Sequence, residues 1–290
     1  MIIAHKGAME KEACLMTQFE EAVSCQESEL DVAKAALLIA KSEYPALDVP
    51  RYLKRLDEMA AVVDGRLGSH PSLIQVITEI NRFLFEEQGF LGNSLDYFDP
   101  RNSFLNDVLE RKLGVPISLS LIYIEIGQRL GIPFAGVSFP GHFLVKLSVP
   151  AGEIVLDPFY GGLSLTKEDL EIRLRQIVPD EKWNMLDFGR LLAGANKREI
   201  LTRMLRNLKT SYIRSGDYNR ALGIVQKVLI LRPDDPNEIR DRGYIFERLD
   251  CFRASADDYE RYLEMSSSAD DAALVRTHYQ AMHLASSQLN

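Results

Sequence analysis

Cysteine is nearly missing from this 290-residue chain: Cys14, Cys25 and Cys251 are an odd set of three with no metal-type spacing. That argues against a disulfide framework and leaves no CxxC zinc site. The expectation is buried thiols in a reducing compartment. Long apolar runs are missing too. The greasiest segment, PISLSLIYIEIG, is interrupted by Glu125, and it falls short of the ~20 apolar residues of a membrane-spanning helix. The N-terminal MIIAHKGAMEKEA holds too short an apolar stretch for the ~7–15-residue core of a signal peptide. Both features predict a cytoplasmic protein with no membrane partner. Positive charge is in deficit, with 34 Lys and Arg against 42 Asp and Glu, a net charge of −8 and no dense basic run. Such a surface repels phosphate backbones, so nucleic acid is not an expected partner. What remains is ordinary globular material, 46% hydrophobic and 26% charged, long enough for two domains.

Residues 10–70 read as helices. Val32, Ala35, Ala36 and Ile39 share one helical face, and Pro45 ends the pattern. Tyr52, Leu56, Met59, Ala60 and Val63 form a second stripe that Gly65 stops. A third helix follows SHPSL, with Pro71 expected in its first turn. The segment LGNSLDYFDPRNSF is a long loop by composition. Two helices follow, the second from near Pro116 to near Gly131. Ile117, Leu119, Leu121, Ile122, Ile124 and Ile126 nearly encircle that second helix, which belongs in the middle of a domain. FAGVSFP, HFLVKLSV and EIVLDPFYG then read as strands, and helix resumes from Lys167. Strands grouped after helices make the fold class α+β. Residues 181–198, with Trp183, read as a linker region between units at 1–190 and 199–290.

The last third repeats. Shifted by 34 residues, Tyr212 falls on Phe246, Leu222 on Ala256, Val225 on Tyr259 and Val228 on Tyr262. That period resembles the tetratricopeptide helix–turn–helix repeat. Ala221 is the small position of the first unit, Ser255 replaces it in the second, and a helix over about 270–287 caps the stack. So short an all-α solenoid is expected to lean on the first domain. Its concave surface suits protein or peptide partners, and packing alone is the competing reading.

Three residues occur in an order that carries chemistry. Ser118 lies in the first turn of the buried helix, His142 opens a strand, and Asp157 ends the next. A nucleophile at a helix N-terminus gains from the dipole, and a carboxylate behind a histidine orients it as a general base. If Ser148–Ala151 form the hairpin loop, Leu147 pairs with Gly152 and His142 falls opposite Asp157. Each residue also has a plain structural role: a helix-start hydrogen bonder, a strand-end histidine, a turn starter. Glu125 and Arg129, one turn apart, read as a structural ion pair. The polar loop residues Glu86, Glu87, Asp96, Asp99, Arg101 and Asn102 either line a cleft or anchor the domain. No spacing supports a metal or a cofactor.

The stretch NSFLNDVLERKLGVPISLSLIYIEIGQRLGIPFAGVSFPGHFLVKL…VLDPFYGG resembles the transglutaminase-like core of the SirB (invasion-regulator B) family, and FLFEEQGFLGN…DYFDPRNS is similar to it as well. The resemblance covers most of the chain. It implies an α+β core of the papain-like cysteine-protease type with N-terminal helices, joined to C-terminal tetratricopeptide repeats. It also implies a Cys–His–Asp triad, with His142 and Asp157 at the His and Asp positions. The nucleophile position falls at or next to Ser118, and no cysteine is near. A serine hydroxyl there is far less acidic than a thiol. Two functions therefore stand open: a non-catalytic or weakly catalytic interaction or regulatory protein, and an amide hydrolase or acyltransferase using Ser118, His142 and Asp157. A scaffold whose repeats alone carry function is a third.

Overall fold

The computed structural model describes residues 14–150, 152–179, 183 and 187–288. Helical residues 14–23 (α1) lead into α2 (Val32–Lys41), α3 (Val49–Asp64) and α4 (Leu73–Asn81). Short acidic side chains start two of them: Asp31 accepts from the Lys34 amide and Asp48 from the Arg51 amide, which satisfies otherwise orphaned donors. The cap of α4 is Ser72, in a reciprocal box with Gln75, so Pro71 precedes the cap and is not in the first turn. Beyond α4 the backbone widens to a π-helical stretch over Arg82–Glu87.

The long loop is pinned at its two ends. Leu91–Gly92 (β1) pairs in parallel with Leu113–Gly114 (β2), on either side of α5 (Leu105–Arg111). Then comes α6 (Pro116–Arg129), buried along nearly its whole length, including all six of the apolar residues named above. Its carboxylate Glu125 is paired with Arg129 at 2.6 Å, and Arg129 also reaches Asp57 at 2.7 Å. Burial pushes the Glu125 carboxyl up, opposed by Arg129.

A five-stranded antiparallel sheet packs on α6 in the order β6-β5-β4-β3-β7. Its strands are β3 (Ala135–Val137), β4 (Leu144–Val149), β5 (Gly152–Asp157), β6 (Leu163–Leu165) and β7 (Gly194–Ala195). The edge strand β7 and the short helix α8 (Phe188–Leu191) lie inside the stretch expected to be linker. Residues 181–182 and 184–186 of that stretch fall outside the described residues. A second apolar cluster, with Phe139, Val155 and Leu174, sits between the sheet and α7 (Lys167–Arg175), and Trp183 packs against it.

The repeats are α9 (Lys197–Ser215), α10 (Tyr218–Leu231), α11 (Pro236–Arg248), α12 (Phe252–Met265) and α13 (Ala272–Gln288). The ends of α10 and α12 are offset by the 34 residues of the sequence period. Ala221 and Ser255 are both fully buried at the equivalent small position. Ser255 Oγ donates to the Gly243 carbonyl at 2.8 Å, a bond an alanine cannot make. Ser255→Ala is expected to lower stability by about 1 kcal/mol in a urea titration, while Ala221→Ser, which adds a buried hydroxyl, costs at least as much.

The main core cluster runs without a break from Phe19 through α6 into α9 and α10. At its start, α9 is stitched to the first unit: Lys197 Nζ donates to the Leu30 carbonyl at 2.8 Å and Arg198 to the Cys25 carbonyl at 2.6 Å. The thiols differ from expectation. Cys14 and Cys251 are exposed and Cys25 is half-buried. Cys251 immediately precedes α12 in the inter-helix turn, where its thiol donates to the Leu249 carbonyl at 3.6 Å.

Candidate functional site

The sheet and the start of α6 form the framework for the three sequence-selected residues. The β4–β5 hairpin pairs Val149 with Gly152 and Leu147 with Ile154. Only two residues are left between the strands, not four, and the register is therefore displaced by two from the expected one. Side chains alternate with a period of two, so this displacement keeps every residue on its expected face. It also means that His142 does not open a strand. It lies in the turn before β4, with its amide donating to the Phe139 carbonyl at 3.0 Å. From there the ring reaches diagonally to the end of β5.

His142 Nε2 is 2.9 Å from Asp157 Oδ1 and 3.0 Å from Oδ2. Arg173 of α7 holds the same carboxylate from the other side, Nη1 to Oδ2 at 2.5 Å. The Phe159 amide donates to Oδ1 as well. Asp157 is completely buried. Burial pushes its carboxyl up, but the bonds and charges of His142 and Arg173 outweigh this and hold it below the usual carboxylate range. An ionised Asp157 fixes the tautomer: Nε2 carries hydrogen and donates, and Nδ1 is left as the acceptor in neutral His142. Tyr160 stacks on the imidazole at 6.1 Å, and Arg173 lies over the same tyrosine at 5.4 Å. The ring borders an open depression of about 420 Å³, lined by Pro140, Gly141, Leu163 and Gln176 among others. Arg173 carries no signal in the sequence, since its distance from Asp157 along the chain reflects neither a helix nor a strand period.

Ser118 is not part of this cluster. Its side chain is fully buried. Its Oγ donates to the Asn102 carbonyl at 2.6 Å and accepts from the Val115 amide at 3.1 Å. The hydroxyl therefore closes the first turn of α6 and ties it to the long loop, and among the described residues no hydrogen bond joins it to His142. Gly114 is pressed against this oxygen, where an added Cβ would sit 2.7 Å away. Of the three candidate residues Ser118, His142 and Asp157, hydrogen bonds join His142 and Asp157, with Arg173 added, while Ser118 is bonded as a helix-start group. The physical reason is local. The backbone of residue 102 comes close enough to take the proton that a general base would need within about 3.2 Å.

Of the polar loop residues, Glu87, Asp99, Arg101 and Asn102 are bonded within the domain. Asn102 is buried and donates to the Asp96 carbonyl at 2.7 Å, with Asn93 donating back to its side chain at 3.1 Å. Asp99 is held by Arg101 and Arg111, and Glu87 by Arg66. Among the described residues there is no grouping of three or more His, Cys, Asp or Glu suited to a metal ion, and no helix long and apolar enough to cross a membrane.

Comparison with known proteins agrees with this architecture. The profile of the transglutaminase-like superfamily matches residues 50–206, and a tetratricopeptide repeat profile matches 208–280, with the boundary inside α9. A UPF0162 protein of Xylella fastidiosa is 38% identical over 92% of this chain and 95% of its own length. The UPF0162 protein YchA of Escherichia coli is 27% identical over 81% of this chain and 86% of its own. Protein SirB1 of Salmonella typhimurium is 26% identical over 82% and 88%. No solved structure matches. A transglutaminase-like profile over more than half the chain, repeats directly behind it and relatives aligned almost end to end lead to one conclusion: the chain belongs to the transglutaminase-like superfamily and, within it, to the UPF0162 family that includes SirB1.

Proposed function

We propose that this protein is a non-catalytic member of its superfamily, an interaction or regulatory protein whose repeats bind a protein or peptide. The observation that carries the reading is the state of Ser118, whose proton is given to the Asn102 carbonyl at 2.6 Å. A serine needs a base to remove that proton before it attacks, and among the described residues no hydrogen bond joins Ser118 Oγ to His142. Repeat solenoids of this type present extended binding surfaces, which supplies the second half of the reading. Free thiols at Cys14 and Cys251 suit a reducing, cytoplasmic setting.

The second reading is an amide hydrolase or acyltransferase that uses Ser118 with the His142–Asp157 pair. The pair itself favours it, oriented as a general base would be, and the geometry of Ser118 weighs against it. A fluorophosphonate probe separates the two. The expected result is no labelling of the wild-type protein above that of Ser118→Ala. Labelling that disappears in both Ser118→Ala and His142→Ala would establish the enzyme reading in its place. A Ser118→Cys variant adds an independent arm: its thiol should resist iodoacetamide until the protein is unfolded, and rapid labelling of the native form dependent on His142 would count for catalysis.

A further inference from the structure

Most cations of α9 are spoken for. Arg206 is bonded to Asp235 and Glu238, Lys209 to Glu238 and Asp241, and Arg198 to Glu27. Arg203 and Arg214 differ: among the described residues neither has a carboxylate within 4.0 Å. They are 11 residues apart, about three turns, and so share one face of the helix.

That stripe faces exposed aromatics. The guanidinium of Arg214 lies over the Phe98 ring at 4.0 Å. Phe98 meets Tyr97 edge-on at 5.4 Å, and Tyr97 meets Phe159 at 6.4 Å. Burial pushes the Tyr97 hydroxyl up, and the positive charge of Arg203 opposes it. Phe159 continues the ladder to Tyr160 and to His142. Phe98 is 41% and Tyr160 60% exposed, and Leu95 at the loop tip is fully exposed. Exposed apolar rings grouped in this way mark interaction surfaces. Phe159 between them is buried, so the exposed rings form two groups, Tyr97 and Phe98 beside the first repeat helix and Tyr160 at the edge of the His142 depression.

We infer that this face, the Arg203/Arg214 stripe of α9 together with Tyr97 and Phe98, docks an extended acidic peptide segment of a partner protein, with apolar residues between its carboxylates. Charge complementarity selects the occupant: unpaired guanidiniums take carboxylates bidentately, and the rings take the apolar side chains. About five residues of extended chain span the two arginines. A phosphodiester strand also offers negative charge and stackable rings, but it must approach a molecule of net charge −8, which disfavours it at every phosphate beyond the two arginines. The inference rests on the interaction reading above and names its surface and partner chemistry.

The test is selection of a random dodecapeptide phage library on the full-length protein, followed by fluorescence anisotropy of the enriched peptides. The wild-type protein is expected to enrich sequences alternating Asp or Glu with Leu, Phe or Tyr, with binding that weakens as salt rises. Arg203→Glu with Arg214→Glu should weaken those peptides at least tenfold, as should Tyr97→Ser with Phe98→Ser. The equal charge change Arg253→Glu with Arg276→Glu, on α12 and α13, should leave them within twofold. Circular dichroism confirms that each variant is folded, since all these positions lie at least partly in solvent. Acidic peptides that bind the Arg203/Arg214 variant unchanged overturn the surface assignment while sparing the interaction reading. Failure to enrich any peptide sinks both. Tighter binding of a 20-mer of thymidine or uridine than of any peptide overturns the choice of partner.

Discussion

Asp157→Ala is expected to lower the free energy of unfolding by about 3–5 kcal/mol, the range for removing one partner of a buried ion pair. Three groups lose their acceptor at once. His142 and Arg173 are left facing a void, and the Phe159 amide loses its bond. Asp157→Asn keeps the shape and should cost less, about 1–3 kcal/mol, because one amide oxygen still accepts while the charge opposite Arg173 is gone. Linkage gives the pH dependence its sign. The folded-state pKa of Asp157 is held below its ordinary value, so its ionised form contributes stability that is complete above the unfolded pKa of about 3.9. That contribution is lost as pH falls through the lower, folded value. The gap between wild type and the Asn variant, measured by urea titration, should be full at neutral pH and should shrink below about pH 4. A loss under 1 kcal/mol for the Ala variant, or a gap that ignores pH down to 3, would mean that the carboxylate is not what holds this corner together.

The same carboxylate shows how much of the site was legible in the sequence. The pairing of His142, just before β4, with Asp157 at the end of β5 is visible because strands alternate faces, and parity survives even a hairpin loop two residues shorter than expected. Arg173 comes from a helix packed across the sheet, and no local period points to it. Ser118 sits in the helix turn where the sequence puts it. Its engagement depends on a carbonyl 16 positions earlier, brought in by the β1–β2 pairing of two-residue strands. Strands that short carry no alternation to read. The repeats were the most legible part, since a 34-residue period survives even where the residues differ. The strand β7 was hidden for the opposite reason: Gly194 and Ala195 have low strand propensity, and only the exposed edge of β3 recruits them.

Legibility in the repeats does not make them an independent unit. Leu201, Leu205 and Leu208 of α9 are fully buried within a core cluster that also contains Ala36, Ile39 and Tyr123 of the first unit. The sequence boundary therefore falls in the middle of a shared core. Leu205→Ala should then destabilise the whole molecule, by about 2–5 kcal/mol, as buried leucine truncations do. Two probes report on different regions. Far-UV circular dichroism is dominated by the helices, and Trp183 packs against the cluster between the sheet and α7, which is distinct from the one containing α9. If the halves unfold as one, urea transitions by both probes coincide in the wild type and move together in the variant. Separate transitions, with the Trp183 signal unmoved by Leu205→Ala, would show that the sheet domain stands by itself. The distinction bears on function. In a single cooperative unit, a peptide held against α9 also stabilises the fold that orders His142. The repeat face and the depression beside that ring then respond to the same bound partner.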